Sequence, residues 1–262
     1  MTEVRAAYER AGDAWSRGPS RLYDQLALRI VESAGEQLRG TLVLDAGAGT
    51  GAVCRALRSA GATAIALDAA AGMLAHIGNA ALLSVVGDIC AQPFLAASFD
   101  AAVSAFTISH LEAPERALGE MRRVVRARGL VVAAVFGAAA PNASKDVVDQ
   151  VAAEHGFVAP AWYVTLKACT EPLTNTPERL RACAEAAGLQ SVSVADVTVD
   201  PGLDSPEAMV EYRLGMAHVA AFVSSLEADE RESLVRDATA AVARRGQAIR
   251  PRVLILSSRA SE

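Results

Sequence analysis

The chain has 262 residues, 52% hydrophobic and 21% charged, with a formal net charge of −5. That length and apolar content suit one large domain, or one domain with a small elaboration, and exclude a mostly disordered chain. The acidic balance, with arginines spread along the chain instead of gathered into a stripe, gives no support for nucleic acid as a partner.

Charges throughout MTEVRAAYERAGDAW argue against a signal peptide, and the longest apolar run, Leu130–Ala140, is well short of the ~20 residues that span a bilayer. A cytoplasmic protein with no membrane insertion is expected. Cys54, Cys90, Cys169 and Cys183 include no Cys-x-x-Cys pair, so no metal site is expected and they read as small buried apolar groups in a reducing compartment.

In chain order, SRLYDQLALRIVESA (20–34) places Leu22, Leu26, Ile30 and Ala34 at helical spacing. A short apolar strand follows at Leu42–Asp45, then glycines and a helix to about Ala60, closed by Gly61. Ala64–Asp68 reads as a second strand, with a helix through about Ile77 before Gly78. Leu82–Val86 is a third strand, ending at Gly87-Asp88, and Ala101–Ile108 a fourth. Pro114 opens a helix that Gly129 stops, and Leu130–Phe136 is a fifth strand. This alternation predicts βαβ units and a parallel sheet whose strands are buried on both faces.

Beyond Phe136 the rhythm changes. Ser144–Glu154 reads as a helix, while Val158–Thr170, with Trp162 and Tyr163, fits neither period. Thr176–Ala187 is a helix capped by Thr176, with Pro177 at its first position and Gly188 at its end. Gln190–Val199 alternates like a strand, Pro206–Arg244 offers two helices parted near Glu227–Asp229, and Arg252–Ser257 is a last apolar strand. The stretches 138–172 and 201–246 are extra to a plain sheet and are expected to cap one edge of it.

The first strand runs into Asp45-Ala46-Gly47-Ala48-Gly49-Thr50-Gly51. In an open parallel sheet, ligands bind beyond the carboxyl ends of the strands at the switch point in strand order. Glycine there lets a ligand approach the backbone closely, and the N–H groups opening the next helix favour anionic groups. A single glycine would serve a tight turn; three at alternate positions directly after an apolar strand point to a ligand loop. The loop alone leaves the ligand open. Gly47, Gly49 and Ala52 satisfy the dinucleotide pattern G-x-G-x-x-G/A, and Asp68 stands where an acid would hold a ribose hydroxyl. Asp45 pulls the other way, because a carboxylate behind the cradle gains nothing for a pyrophosphate and suits a ligand with an ammonium group.

The segments LVLDAGAGTG, IALDAAAGML, VVGDICAQPF, SFDAAVSAFTISHL and RALGEMRRVVRARGLVVAAVF resemble, in order, the successive motifs of class I S-adenosylmethionine-dependent methyltransferases over roughly Thr41–Phe136. The phrases LDAGAGTG and SFDAAVSAFTISHL, and DAWSRGPSRLYDQLA before them, are similar to the small-molecule branch that includes quinone-type and natural-product enzymes. The resemblance implies an α/β, doubly wound, seven-stranded, mostly parallel sheet in the order 3-2-1-4-5-7-6, the last strand antiparallel, with helical lid insertions. It implies one domain: N-terminal helices in 1–40, a cofactor-binding core in 41–137, lid and substrate elements in 138–189 and 201–246, and strands six and seven within 190–200 and 250–258.

Carried over by position, the resemblance implies that Gly47, Gly49 and Gly51 line the methionine part of S-adenosylmethionine, with Asp45 supporting the loop and the ammonium. Asp68 accepts from both ribose hydroxyls, an acceptor-only group facing two donors, or serves only as a helix N-cap. Met73 flanks the adenine or fills the core. Asp88 accepts from the adenine amino group with Ile89 beside the ring; otherwise they are a loop cap and a core residue. Ala105 and Phe106 end the fourth strand, where the family uses backbone carbonyls near the cofactor's amino group, and Phe106 suits the core equally. Tyr23 and Trp15 close over the cofactor or pack beneath it. Three departures stand out. Ala127-Arg128-Gly129 replaces the usual Pro-Gly-Gly, Ser109-His110 replaces paired histidines, and no N/D-P-P-Y/F stretch follows the fourth strand, which argues against methylation of a nucleobase amino group or a protein glutamine.

The implied reaction is in-line displacement, helped by holding the nucleophile at about 3 Å and excluding water. A general base matters only for an acceptor that holds a proton at neutral pH. Of the four histidines, His110, just past the fourth strand, is the base candidate, the alternative being a loop cap. His218 lies in EYRLGMAHVAAF with Tyr212, Met216 and Val219, and a packed histidine is the stronger reading there. His76 reads as solvent-facing and His155 as a helix C-terminus. Trp162, Tyr163, Tyr212 and Phe222 in the capping segments are candidate contacts to an apolar or aromatic acceptor, or else the lid's own core. A monomer or homodimer acting on a small molecule in secondary metabolism is expected. The alternatives are a cyclase or non-transferring protein that binds S-adenosylmethionine, and an NAD(P)-dependent oxidoreductase.

Overall fold

The computed structural model describes residues 2–138 and 142–260. Helices α1 (Thr2–Arg17) and α2 (Pro19–Ala34) precede the sheet. Strands β1 (Leu42–Ala46), β2 (Thr63–Asp68), β3 (Leu83–Val86), β4 (Phe99–Ala105) and β5 (Val125–Phe136) follow, interleaved with α3 (Ala52–Ser59), α4 (Ala71–Leu74) and α5 (Pro114–Val124). The second part holds α6 (Ala143–Glu154), α7 (Ala161–Thr165), α8 (Pro177–Ala186), β6 (Gln190–Thr198), α9 (Pro206–Leu214), α10 (Ala217–Ser225), α11 (Ala228–Arg245) and β7 (Arg252–Arg259). The strands form one sheet in the order β3-β2-β1-β4-β5-β7-β6. β1 to β5 pair in parallel, and β7 lies antiparallel between β5 and β6. This is the order the resemblance implies, and it differs from the 3-2-1-4-5-6 of dinucleotide-binding sheets.

Alternate residues of each strand feed opposite faces. Val43, Val103 and Val132 join one core with α2, α3, α6, α9 and α11, while Leu44, Ala102 and Val131 join a second with α5 and α8. Each fully buried leucine or valine contributes about 1.5–3 kcal/mol, so both faces are sealed by the same apolar strands. The added helices α6, α9 and α11 therefore cover a face of the sheet, not the edge expected for them. Positions 139–141 of the lid stretch lie outside the described residues.

Several boundaries move for identifiable reasons. α4 is one turn, not a helix to Ile77, because the chain tightens: His76 N–H donates to Met73 O (3.1 Å) and Ile77 N–H to Leu74 O (3.1 Å). Here α1 crosses α4 at glycines, and a Cβ on Gly72 would sit 2.0 Å from Glu9 O. α5 ends at Val124, not Gly129, since Val125 already pairs with Phe99 in the sheet. The segment Ala127-Arg128-Gly129 bends inside β5 with Arg128 at φ 60. Pro206–Arg244 holds three helices, not two; Met216 is extended between α9 and α10. Val158–Thr170 becomes α7 followed by a π turn at Leu166–Thr170.

Only Cys54 is buried among the cysteines; Cys90 and Cys183 are half-buried and Cys169 is exposed, against the expectation of buried groups. Among the described residues no group of three or more His, Cys, Asp and Glu side chains could hold a metal, and no helix is long and apolar enough to cross a membrane.

Candidate functional site

A cleft of about 1120 Å³, its open mouth included, lies where β1, β2, β3 and β4 end, beneath α1 and α2. Gly47–Thr50 form one wall, Asp68 and Met73 the next, Asp88 and Ile89 the third, and Ala105–Thr107 the fourth; Tyr8, Trp15 and Tyr23 roof it. The parallel topology alone gathers these residues, because every contributor follows the carboxyl end of a strand or lies on the two leading helices.

The loop after β1 is fixed by its neighbours. Gly47 has φ 85, and a Cβ there would sit 2.2 Å from Thr107 Oγ1, so only glycine fits. Thr107 Oγ1 in turn donates to Gly47 O at 3.2 Å. Gly47 and Ala48 N–H donate to Leu67 O at 2.7 and 3.0 Å. Asp68 ties the loop to β2: one carboxylate oxygen accepts from Gly49 N–H (2.8 Å) and the other from Ala70 N–H (2.9 Å). Burial raises the Asp68 pKa, and these backbone donors oppose the rise.

Asp45 and Gly51 fall behind the wall. Asp45 is fully buried and accepts from Cys54 N–H (3.1 Å) and Cys54 Sγ (3.0 Å), pinning the start of α3. Its Oδ1 has no hydrogen-bond partner among the described residues, and burial pushes its pKa up to about 7. It supports the loop without reaching the cleft, so it is not placed to hold an ammonium. Gly51, left-handed at φ 87, is the N-cap of α3 and does not line the cleft either. Phe106 is a non-glycine residue at φ 61, an uncommon conformation stabilised by its N–H donating to Ala134 O (2.7 Å) and by stacking on Phe136 (4.4 Å).

A second cavity of about 650 Å³, its open mouth included, adjoins the first, and Tyr8, Tyr23, Phe106 and His110 line both. Its far wall brings together the four expected acceptor-side residues, Trp162, Tyr163, Tyr212 and His218. The His218 ring stacks on Tyr163 at 3.7 Å and 5°, and burial pushes its pKa down to about 2, so the imidazole is neutral. Its Nε2 has no partner among the described residues. Arg213 grips Asp149 with two bonds of 2.7 and 2.6 Å and reaches Tyr163 Oη at 3.3 Å, which fixes the stacked pair. Phe222 is the exception: it packs on Phe157 at 5.5 Å and does not line the cavity.

His110 stands at the junction. Its Nε2 is 3.0 Å from Tyr8 Oη, and its Nδ1 is buried without a partner among the described residues. Burial pushes its pKa down to about 4, leaving it neutral at pH 7 and able to accept a proton. Burial also raises the Tyr8 pKa well above its ordinary value, so Tyr8 keeps its proton. The other two histidines are peripheral: His76 is half-buried beside Asp13 (3.5 Å), not solvent-facing, and His155 caps α6 and pairs with Asp237 at 3.1 Å.

Sequence reasoning missed Tyr8, Lys145 and Arg213. For Tyr8 a signal exists, since Val4, Tyr8, Ala11 and Trp15 recur along one helical face. For Lys145 and Arg213 nothing local sets them apart from other charged helix residues.

Residues 44–133 match the model of a methyltransferase domain. Over 137 residues the chain is 34% identical to demethylmenaquinone methyltransferase of Renibacterium salmoninarum, covering 51% of this chain and 56% of that protein. Over 133 residues it is 38% identical to malonyl-[acyl-carrier protein] O-methyltransferase of Erwinia pyrifoliae, covering 49% of each. The chain thus spans about half the length of the curated relatives it matches. The fold is similar to that of phosphoethanolamine N-methyltransferase 2 from Haemonchus contortus in complex with S-adenosyl-L-methionine, with a TM-score of 0.56 and 18% identity over 90% of this chain and 52% of that one.

Proposed function

We propose that the chain is a class I S-adenosylmethionine-dependent methyltransferase that moves the methyl group of S-adenosylmethionine, held in the first cavity, to a small acceptor with an apolar or aromatic body in the second. The observation that carries this reading is the shared wall: a glycine-lined, acid-bearing cleft and an aromatic one meet at Tyr8, Tyr23, Phe106 and His110.

The bound cofactor supplies an activated methyl on a positively charged sulfur. The chain supplies placement. The bare backbone at Gly47 and Gly49 admits the amino-acid end closely. Each Asp68 oxygen spends one acceptor site on a backbone N–H and keeps another for a ribose hydroxyl. Asp88 is positioned for the adenine amino group, with Ile89 and Met73 against the ring. Tyr8, Tyr23 and Phe106 bring aromatic rings to the junction, where a cation over a ring face is favoured by about 0.5–2 kcal/mol. They also keep water from the junction, so that an acceptor atom can be held in line with the methyl carbon. Neutral His110 takes the proton of an acceptor that carries one, with Tyr8 orienting the ring.

Incubation with S-adenosylmethionine and a panel of phenolic, enolic and amine acceptors tests the reading. Formation of S-adenosylhomocysteine is the expected result. Binding without turnover would point to a cyclase or a binding protein, and absence of binding would return the cleft to nucleotide ligands.

A further inference from the structure

Resting on that two-cavity reading, the charges of the second cavity specify more about its occupant. Lys145, Lys167 and Arg213 line it, against the single carboxylate of Glu171. Lys167 is paired with Glu171 at 2.5 Å, and Arg213 is committed to Asp149 behind the wall at 2.6 Å. Counting Asp149, three cations face two carboxylates, and the surplus falls on Lys145. Its ammonium has no ion-pair partner among the described residues and stands 6.0 Å from the Tyr212 ring centroid.

The helix itself disfavours a cation there. Lys145 lies in the first turn of α6, whose N-cap is Asn142, and a positive charge at a helix N-terminus opposes the dipole. Burial first, then the neighbouring Arg213 and Lys167, lower its pKa and outweigh Tyr163 and Glu171, which favour the charged form. A half-buried, unpaired ammonium is costly unless an anion joins it.

We infer that the acceptor carries a carboxylate that pairs with Lys145, its aromatic or apolar body lying along Trp162, Tyr163, Tyr212 and His218. One carboxylate cancels the surplus of one charge, and a charge-assisted bond is about twice as strong as a neutral one. The paired group orients the acceptor, so that the opposite end faces His110 and the cofactor cavity.

The test titrates matched probes by calorimetry, with and without saturating S-adenosylmethionine: salicylate, 4-hydroxycinnamate and indole-3-acetate, each against its methyl ester. At least one acid should bind wild type about tenfold or more tighter than its ester. Lys145→Met should bring that ratio to within about twofold, and Lys145→Arg should keep most of it. S-adenosylmethionine affinity should stay at the wild-type value in both variants, which also shows that they fold. Esters binding as tightly as acids, no acid binding at millimolar concentration, or a preference that survives Lys145→Met would each overturn the inference. Failure of the transferase reading is separable: the acids would bind as expected while no S-adenosylhomocysteine forms.

Discussion

The two adjoining cavities are made in opposite ways. The first is a construction of backbone and short acids: Gly47, Gly49, Asp68 and Asp88 all sit within a few residues of a strand end. The second is a construction of long side chains brought from α1, α6, α7, α9 and α10, and its key contacts join residues far apart in the chain, such as Arg213 with Asp149 and Tyr8 with His110. Strand topology dictates the one; packing of helices on a single sheet face permits the other. A cofactor site of the first kind can stay fixed while an acceptor site of the second kind varies.

The largest expected effect breaks the first cavity and spares the second. Asp68→Ala removes the acceptor for the N–H groups of Gly49 and Ala70 and, with them, the proposed acceptor for the ribose. At about 1.5–3 kcal/mol per bond to a charged group, two lost ribose bonds should weaken S-adenosylmethionine by about 10³-fold in calorimetry. Binding of acceptor probes without cofactor should change little.

Asp45 tests the buried frame behind that cavity. Its folded pKa, pushed up to about 7 from an ordinary 3.8, means that the folded state holds a proton the unfolded state has released between those values. The sign follows: its contribution to stability is fully present below about pH 4 and is lost as pH rises to about 7. Asp45→Asn, neutral at every pH, removes that slope. Denaturant unfolding should show the variant gaining on wild type from pH 4 to pH 7, by at most about 4 kcal/mol.

His110 probes the junction. His110→Ala should lower kcat by about 10²-fold for an acceptor that must lose a proton, the lower end of the general-base range because a base near pKa 4 is weak. S-adenosylmethionine affinity should move far less. The smallest effect lies on the far wall: Tyr163→Leu removes the ring stacked on His218, worth about 0.5–1.5 kcal/mol. It should raise KM for the acceptor several-fold with kcat nearly unchanged.

The contrast also explains what could be read from the chain alone. The strand order, the glycine loop, Asp68 and the Asp88 turn were legible because each is a local pattern whose position the parallel sheet then dictates. Asp45 and Gly51 carry the same motif yet stand behind the wall, since a strand's last inward residue and a helix N-cap face the core, which spacing cannot distinguish from the ligand side. Trp162, Tyr163, Tyr212 and His218 were legible only as aromatic-rich lid residues; their convergence on one cavity joins α7, α9 and α10, which no local spacing brings together. Phe222 has the same composition signal and packs on Phe157 instead. Val125 shows the reverse: helical pattern through Arg128 lost to a sheet pairing with Phe99 that no local feature announces.

The most direct measurement is a crystal structure with S-adenosylhomocysteine. Its ribose should lie on the Asp68 carboxylate and its sulfur should face Tyr8, Tyr23, Phe106 and His110, toward the second cavity. A ribose seated away from Asp68, or a sulfur turned from that shared wall, would contradict the assignment of donor and acceptor to the two cavities.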